Sequence, residues 1–199
     1  MFQSGSEVDR ILSALSEQVA AITPERFDLV VCGGSALNAL DLVQRTTKDI
    51  DVLAILEPDK SGDLRPQTAL SLPKPIVQAA AKVARDFQLP ADWLNPGPTS
   101  ALEFGLPKGL LQRLQTRDYG DSLTIRFLDR YDQIHFKLYA AVDQGGGKHL
   151  EDLVALQPTA SELEAAARWS MTHDVSEPYK DHLKKILVNM GHPDVAHRL

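Results

Sequence analysis

Along the start of the chain, apolar side chains return at three- and four-residue intervals: Val8, Ile11, Leu12, Leu15, Val19 and Ile22. That period predicts an amphipathic first helix over residues 8 to 22, closed by Pro24. The pattern then changes. "FDLVVC" is a continuous β-branched apolar run bounded by Gly33 and Gly34, as a central strand requires. Ser35 is placed to cap a helix through "ALNALDLV". "DIDVLAIL", residues 49 to 56, predicts a second strand, closed by Pro58 and a polar loop. After Pro73, a helical stripe runs through Ile76, Val77, Ala80, Val83, Ala84 and Phe87.

"LPADWLNPGPTS" is rich in proline and predicts a loop, followed by a short helix near "GLLQRLQ" and a strand at "SLTIRFL". From Tyr131 the reading is helical: "YDQIHFKLYAAVD", "KHLEDLVAL", a capped segment from Thr159, and "YKDHLKKILVNM" with Tyr179, Leu183, Ile186, Leu187 and Met190 as its buried stripe. The order predicts an α+β chain, with a core over residues 1–130 that holds the sheet and a helical region over 131–199 packed on it.

Composition narrows the class without naming it. With 43% hydrophobic and 24% charged residues, the chain has the make-up of an ordinary globular protein. Its first residues lack the basic flank and apolar core of a signal peptide, and no run of apolar residues is long enough to span a membrane, so a cytoplasmic protein is expected. Cys32, the single cysteine, allows no intrachain disulfide and is expected as a buried thiol. A net charge of −6 disfavours a protein that coats nucleic acid.

Against this background Asp49 and Asp51 are out of place in an apolar strand. Alternation along a strand sends both to one face, with Cα atoms about 6.6 Å apart. Two carboxylates at that spacing suit one or two hard divalent cations, Mg2+ or Mn2+, of the kind that accompany a triphosphate. Gly33, Gly34 and Ser35 supply a complementary half, because small residues between a strand and a helix let backbone N–H groups and a hydroxyl approach a phosphate. Each feature alone has a plain structural reading, since acids end strands and glycine pairs make turns. Together with Arg45 and Thr47, one window carries more than packing needs.

These residues, "GGSALNALDLVQRTTKDIDV", resemble the signature of the nucleotidyltransferase superfamily that shares its core with DNA polymerase β. The window is most similar to the bacterial abortive-infection type nucleotidyltransferases, the toxin halves of type IV toxin-antitoxin pairs, and their uncharacterised relatives. In that group an arginine and a small hydroxyl residue precede the acids, as Arg45 and Thr47 do. The group also carries a lysine in a helix of the form Lys-h-x-Ala and a later Asp-Leu, matched here by Lys137, Ala140 and Asp152-Leu153. The resemblance implies a polymerase β-like core, a mixed sheet flanked by helices, followed by helices.

It further implies metal binding by Asp49 and Asp51, nucleotide binding by Gly33, Gly34, Ser35, Arg45 and Thr47, and catalytic parts for Asp49, Asp51, Lys137 and Asp152. The chain departs from the pattern at "DQGGG", where an arginine is usual, and at His149, where an acid is usual. No third carboxylate lies on "SLTIRFL"; Asp129 follows it, and Asp152 is the better substitute.

The reaction implied is Mg2+-dependent transfer of a nucleoside monophosphate from a nucleoside triphosphate to an acceptor hydroxyl. Three acceptor classes stay open: a tRNA 3′ end, with a cognate antitoxin as partner; a protein or small molecule; or none, in a non-catalytic nucleotide- or partner-binding module. "GGGKH" lacks the remainder of a P-loop and reads as a turn. The histidines show no zinc-protease spacing, and Trp93 and Trp169 are expected in packing. Lys180, Lys184 and Lys185 share the polar side of a helix, which is either a solvated face or a contact to an RNA backbone.

Overall fold

The computed structural model describes every residue from Met1 to Leu199 and divides the chain into two compact units, Met1–Asp129 and Arg130–Leu199. The architecture is α+β, with a mixed open sheet in the first unit and helices throughout the second. No helix is long and apolar enough to cross a membrane.

The first helix, α1 (Gly5–Ala20), opens where Ser4 accepts a hydrogen bond from the Glu7 N–H and the Glu7 carboxylate accepts one from the Gln3 N–H. The first of these bonds satisfies a donor that a helix start leaves unpaired, and the second ties down the residue before the cap. Val8, Ile11, Leu12, Leu15 and Val19 are buried, while Ile22 lies past the helix end and is 43% exposed. Strand β1 (Phe27–Cys32) runs into α2 (Gly33–Ala39) with no intervening loop. Ser35 is therefore inside the first helical turn rather than at its cap. Gly33, at φ +76°, begins the helix in a backbone region that favours glycine.

Strand β2 (Ile50–Pro58) lies antiparallel to β1 and forms a hairpin with β3 (Leu64–Gln67). Helix α3 (Lys74–Phe87) packs beside α1. The proline-rich segment expected as a loop contains β4 (Leu94–Asn95), which runs parallel to the start of β2, and then a 3-10 turn over Gly97–Leu102. After α4 (Leu110–Arg113), strands β5 (Gln115–Tyr119) and β6 (Leu123–Phe127) complete the sheet. Its order is β3-β2-β1-β6-β5, with β1 and β6 parallel and β4 beside β2. Residues from α1, α2, α3 and the sheet, including Leu12, Ala36, Val31, Val52, Ile76 and Phe127, form one buried core.

Polar side chains lock these elements in place. Arg117 on β5 pairs with Asp9 of α1 at 3.0 Å and donates to the Ala39 carbonyl at the end of α2 at 2.6 Å. A cation on the last carbonyl of a helix satisfies an open acceptor and favours the helix dipole. Tyr119 also donates to Asp9, and burial together with that carboxylate pushes its phenol above the usual range.

In the second unit α5 (Arg130–Asp143), α6 (Lys148–Ala155), α7 (Ala160–Ser170), α8 (Glu177–Asn189) and α9 (Pro193–Arg198) follow in order. The "GGGKH" glycines form the turn between α5 and α6, all three at positive φ. Arg130 joins three segments: it donates to the Leu156 and Gln157 carbonyls at 2.9 and 2.8 Å and pairs with Glu162 at 2.6 Å. In α8 the stripe of Tyr179, Leu183, Ile186 and Leu187 is buried, and Met190 is half-buried just past the helix.

Candidate functional site

The glycine turn and the two aspartates come together at one end of the sheet because β1 and β2 are neighbours. Cys32, the last residue of β1, is in register with Asp51. Between Val30 and Val31 the register shifts, so the pairing passes from Val30–Ala54 to Val31–Val52. Such a bulge bends a strand and re-aims its side chains, and this one lies directly beside the acid-bearing end of β2. Asp49 precedes the first strand residue rather than lying within the strand. Both aspartates are half-buried.

The glycines are required by what sits against them. A Cβ on Gly33 would lie 2.5 Å from Asp51 Oδ2. A Cβ on Gly34 would lie 2.5 Å from Arg45 Nη2 and 2.9 Å from Thr47 Oγ1. The two glycines therefore leave the space into which the Asp51 carboxylate, the Arg45 guanidinium and the Thr47 hydroxyl fit. Thr47 in turn donates to Asp49 Oδ1 at 3.1 Å. Ser35 is fully buried, and its hydroxyl donates back to the Cys32 carbonyl at 3.5 Å. Gly33, Gly34, Arg45, Thr47, Asp49 and Asp51 thus form one connected cluster, with Ser35 beneath it.

Three supports of this cluster have no local signature. Asn38, buried in α2, clamps the backbone of Arg45 from both sides: its Nδ2 donates to the Arg45 carbonyl at 2.8 Å, and its Oδ1 accepts the Arg45 N–H at 3.1 Å. Phe2 and Thr47 exchange backbone hydrogen bonds at 2.8 and 2.9 Å, so the loop before Asp49 is held as an isolated bridge. Asn95, in register with Asp51 on β4, donates to Asp51 Oδ1 at 3.3 Å. The clamp from α2 to the loop that follows it has no signal in the sequence beyond the polar Asn38 in an apolar segment. Nothing near Asp51 in the sequence points to Asn95.

Lys137 and Asp152 meet each other within the second unit. Lys137 Nζ lies 2.7 Å from Asp152 Oδ2, with the side chains only 4% and 1% exposed. At this depth a lone charge is costly, so removing either partner would strand the other. Gln133, one helical turn before Lys137, is fully buried, and neither atom of its amide has a hydrogen-bond partner.

Two hard carboxylates with ordered hydrogen-bond partners suit Mg2+ or Mn2+, which keep several water or phosphate oxygens of their own. Nowhere in the chain do three or more His, Cys, Asp or Glu side chains gather as a metal-binding group. A cavity of about 370 Å³ in the first unit, lined by Leu56, Leu64, Leu111, Arg65 and Arg126 among others, includes none of the cluster residues. No protein-family model, curated protein or solved structure matches the chain.

Proposed function

We propose that this chain is a nucleotidyltransferase with a polymerase β-like core, using Mg2+ or Mn2+ at Asp49 and Asp51. The observation that carries this reading is the direct approach of the Gly33 turn to the Asp51 carboxylate at the end of two paired strands. A glycine turn and a two-acid strand end are the parts that triphosphate chemistry needs side by side.

In this reading Gly33 and Gly34 make room at the turn for the Asp51 carboxylate, the Arg45 guanidinium and the Thr47 hydroxyl that would meet the cation and the triphosphate, and Ser35, through Cys32, holds the turn in shape. Asp49 and Asp51 anchor the cation, with Thr47 orienting Asp49. Arg45, beside Gly34, meets negative charge on the phosphates. Lys137 and Asp152 belong to the helical unit, where they pair with each other, and a catalytic part for them rests on the sequence resemblance alone. When bound, the cation offsets charge on the transferring group and on the pyrophosphate that leaves. The acceptor hydroxyl attacks the α-phosphorus in line, its proton passes to solvent or a nearby base, and the bond to pyrophosphate breaks.

The toxin form of this reading has a tRNA 3′ end as acceptor and an antitoxin as partner. The net charge of −6 favours the second reading, in which the acceptor is a protein or small molecule that needs no basic surface. Incubating the wild type and the Asp49→Ala/Asp51→Ala variant with total RNA, Mg2+ and each labelled nucleoside triphosphate separates them. Label on small RNA with the wild type alone supports the toxin form. Label on protein or on a small molecule supports the second reading, and absence of nucleotide binding in the presence of Mg2+ refutes both.

A further inference from the structure

Asn95 stands where a strand gains nothing from it. Asparagine is depleted in strands, and β4 is only two residues long, yet its second residue faces Asp51 in register. Its side chain is held at both ends. The Oδ1 accepts the Gly97 N–H at 2.9 Å, and the Nδ2 donates to Asp51 Oδ1 at 3.3 Å and to the Asp92 carbonyl at 3.5 Å.

The bond from Gly97 decides which way the amide faces. With its oxygen occupied by a backbone N–H, the amide offers Asp51 a donor and has no oxygen turned toward a cation. We propose that Asn95 is a positioning residue of the acid pair: it fixes the Asp51 carboxylate by one N–H bond, and Gly97 fixes Asn95. This rests on the reading of Asp49 and Asp51 as metal ligands. On the opposite side Asp51 Oδ2 lies against Gly33, so the carboxylate is confined from two directions.

Outer partners that orient a metal ligand typically change metal affinity about 10–100-fold when removed. The test is an electron paramagnetic resonance titration of free Mn2+ against the wild type, Asp51→Ala, Asn95→Ala and Gly97→Ala, at a temperature well below each melting point. Gly97→Ala is included because its Cβ would lie 2.9 Å from Asn95 Oδ1, so the amide must shift while the asparagine remains. It also keeps the inference testable if Asn95→Ala does not fold.

The expected result is about tenfold weaker Mn2+ binding in Asn95→Ala and a smaller loss in Gly97→Ala. A residue that merely holds β4 in place would lower the melting temperature and leave the affinity of the folded protein unchanged. Wild-type binding that depends on Asp51, with both other variants matching the wild type, overturns the role of Asn95 alone. A wild type that binds no Mn2+, or binds it equally without Asp51, overturns the metal reading and this inference with it.

Discussion

Replacing Gly33 by alanine attacks the cluster at its tightest point, and the structure separates two costs. The first is conformational. At φ +76° an L-residue costs about 1–2 kcal/mol, while the stiffer unfolded chain returns about 0.4–1 kcal/mol. The second is steric, because the new Cβ would lie 2.5 Å from Asp51 Oδ2 and the carboxylate must leave its preferred rotamer, at about 0.5–1.5 kcal/mol. Gly62→Ala serves as the control, since Gly62 has φ +88° and nothing within 4 Å of its Cβ position. It carries the first cost alone.

At about 2–4 °C per kcal/mol for a chain of this size, Gly33→Ala should melt about 1–12 °C below the wild type and Gly62→Ala only a few degrees below it. The two variants should separate further in Mn2+ affinity, which Gly33→Ala loses and Gly62→Ala keeps. Circular dichroism melts and a Mn2+ titration on the same samples provide both readouts. If Gly33→Ala melts and binds as Gly62→Ala does, the Asp51 carboxylate is not confined by the turn and the reasoning fails.

Lys137→Met should destabilise the protein by about 3–5 kcal/mol by leaving Asp152 buried without its cation, and Lys137→Met/Asp152→Leu should recover much of that loss in denaturant unfolding. Asn38→Ala removes both bonds to the Arg45 backbone, so amide hydrogen exchange at Arg45 should rise sharply while exchange in α3 stays at wild-type rates. The Arg130 guanidinium, with help from Thr159, holds the Glu162 carboxyl below its ordinary value of 4.5. A lowered folded pKa gives stability that is complete above about pH 4.5 and is lost as pH falls through the folded value. The stability difference between wild type and Glu162→Gln should therefore be constant from pH 5 to 7 in urea titrations and shrink below about pH 4.5. A difference that persists unchanged to pH 3 would refute the assignment to Arg130.

What could be read from the sequence follows from where the apolar signal is strong. The helical stripes of α1, α3 and α8 and the apolar run of β1 were legible because each buries a continuous face. Strands β3 and β5 were not, because both lie at sheet edges and are mostly exposed, so "LRPQ" and "QTRDY" carry no alternation. Ser35 reads as a cap, but the freedom of Gly33 starts the helix three residues earlier and buries the serine. In the cluster, Asp49, Asp51, Gly33 and Gly34 were visible as local spacing, and Arg45 and Thr47 as their neighbours. Asn95 was invisible, because its link to Asp51 spans 44 residues and a proline-rich segment hides the short strand that delivers it. Lys137 and Asp152 were each legible as candidates; their pairing depends on the packing of α5 against α6, which no local pattern encodes.

The segment that brings Asn95 to Asp51 also carries an optical probe. Trp93 is fully buried, donates its indole N–H to the Ala80 carbonyl at 3.0 Å, and accepts the Ile50 N–H on its own carbonyl at 2.5 Å. The other tryptophan, Trp169, belongs to the second unit, packed against His135, Phe136 and His173. Each unit thus contains one tryptophan. In a Trp169→Phe background, the blue-shifted emission of Trp93 appears during refolding only as residues 93–95 dock onto the start of β2, so stopped-flow fluorescence times the moment at which the acid pair acquires its third neighbour.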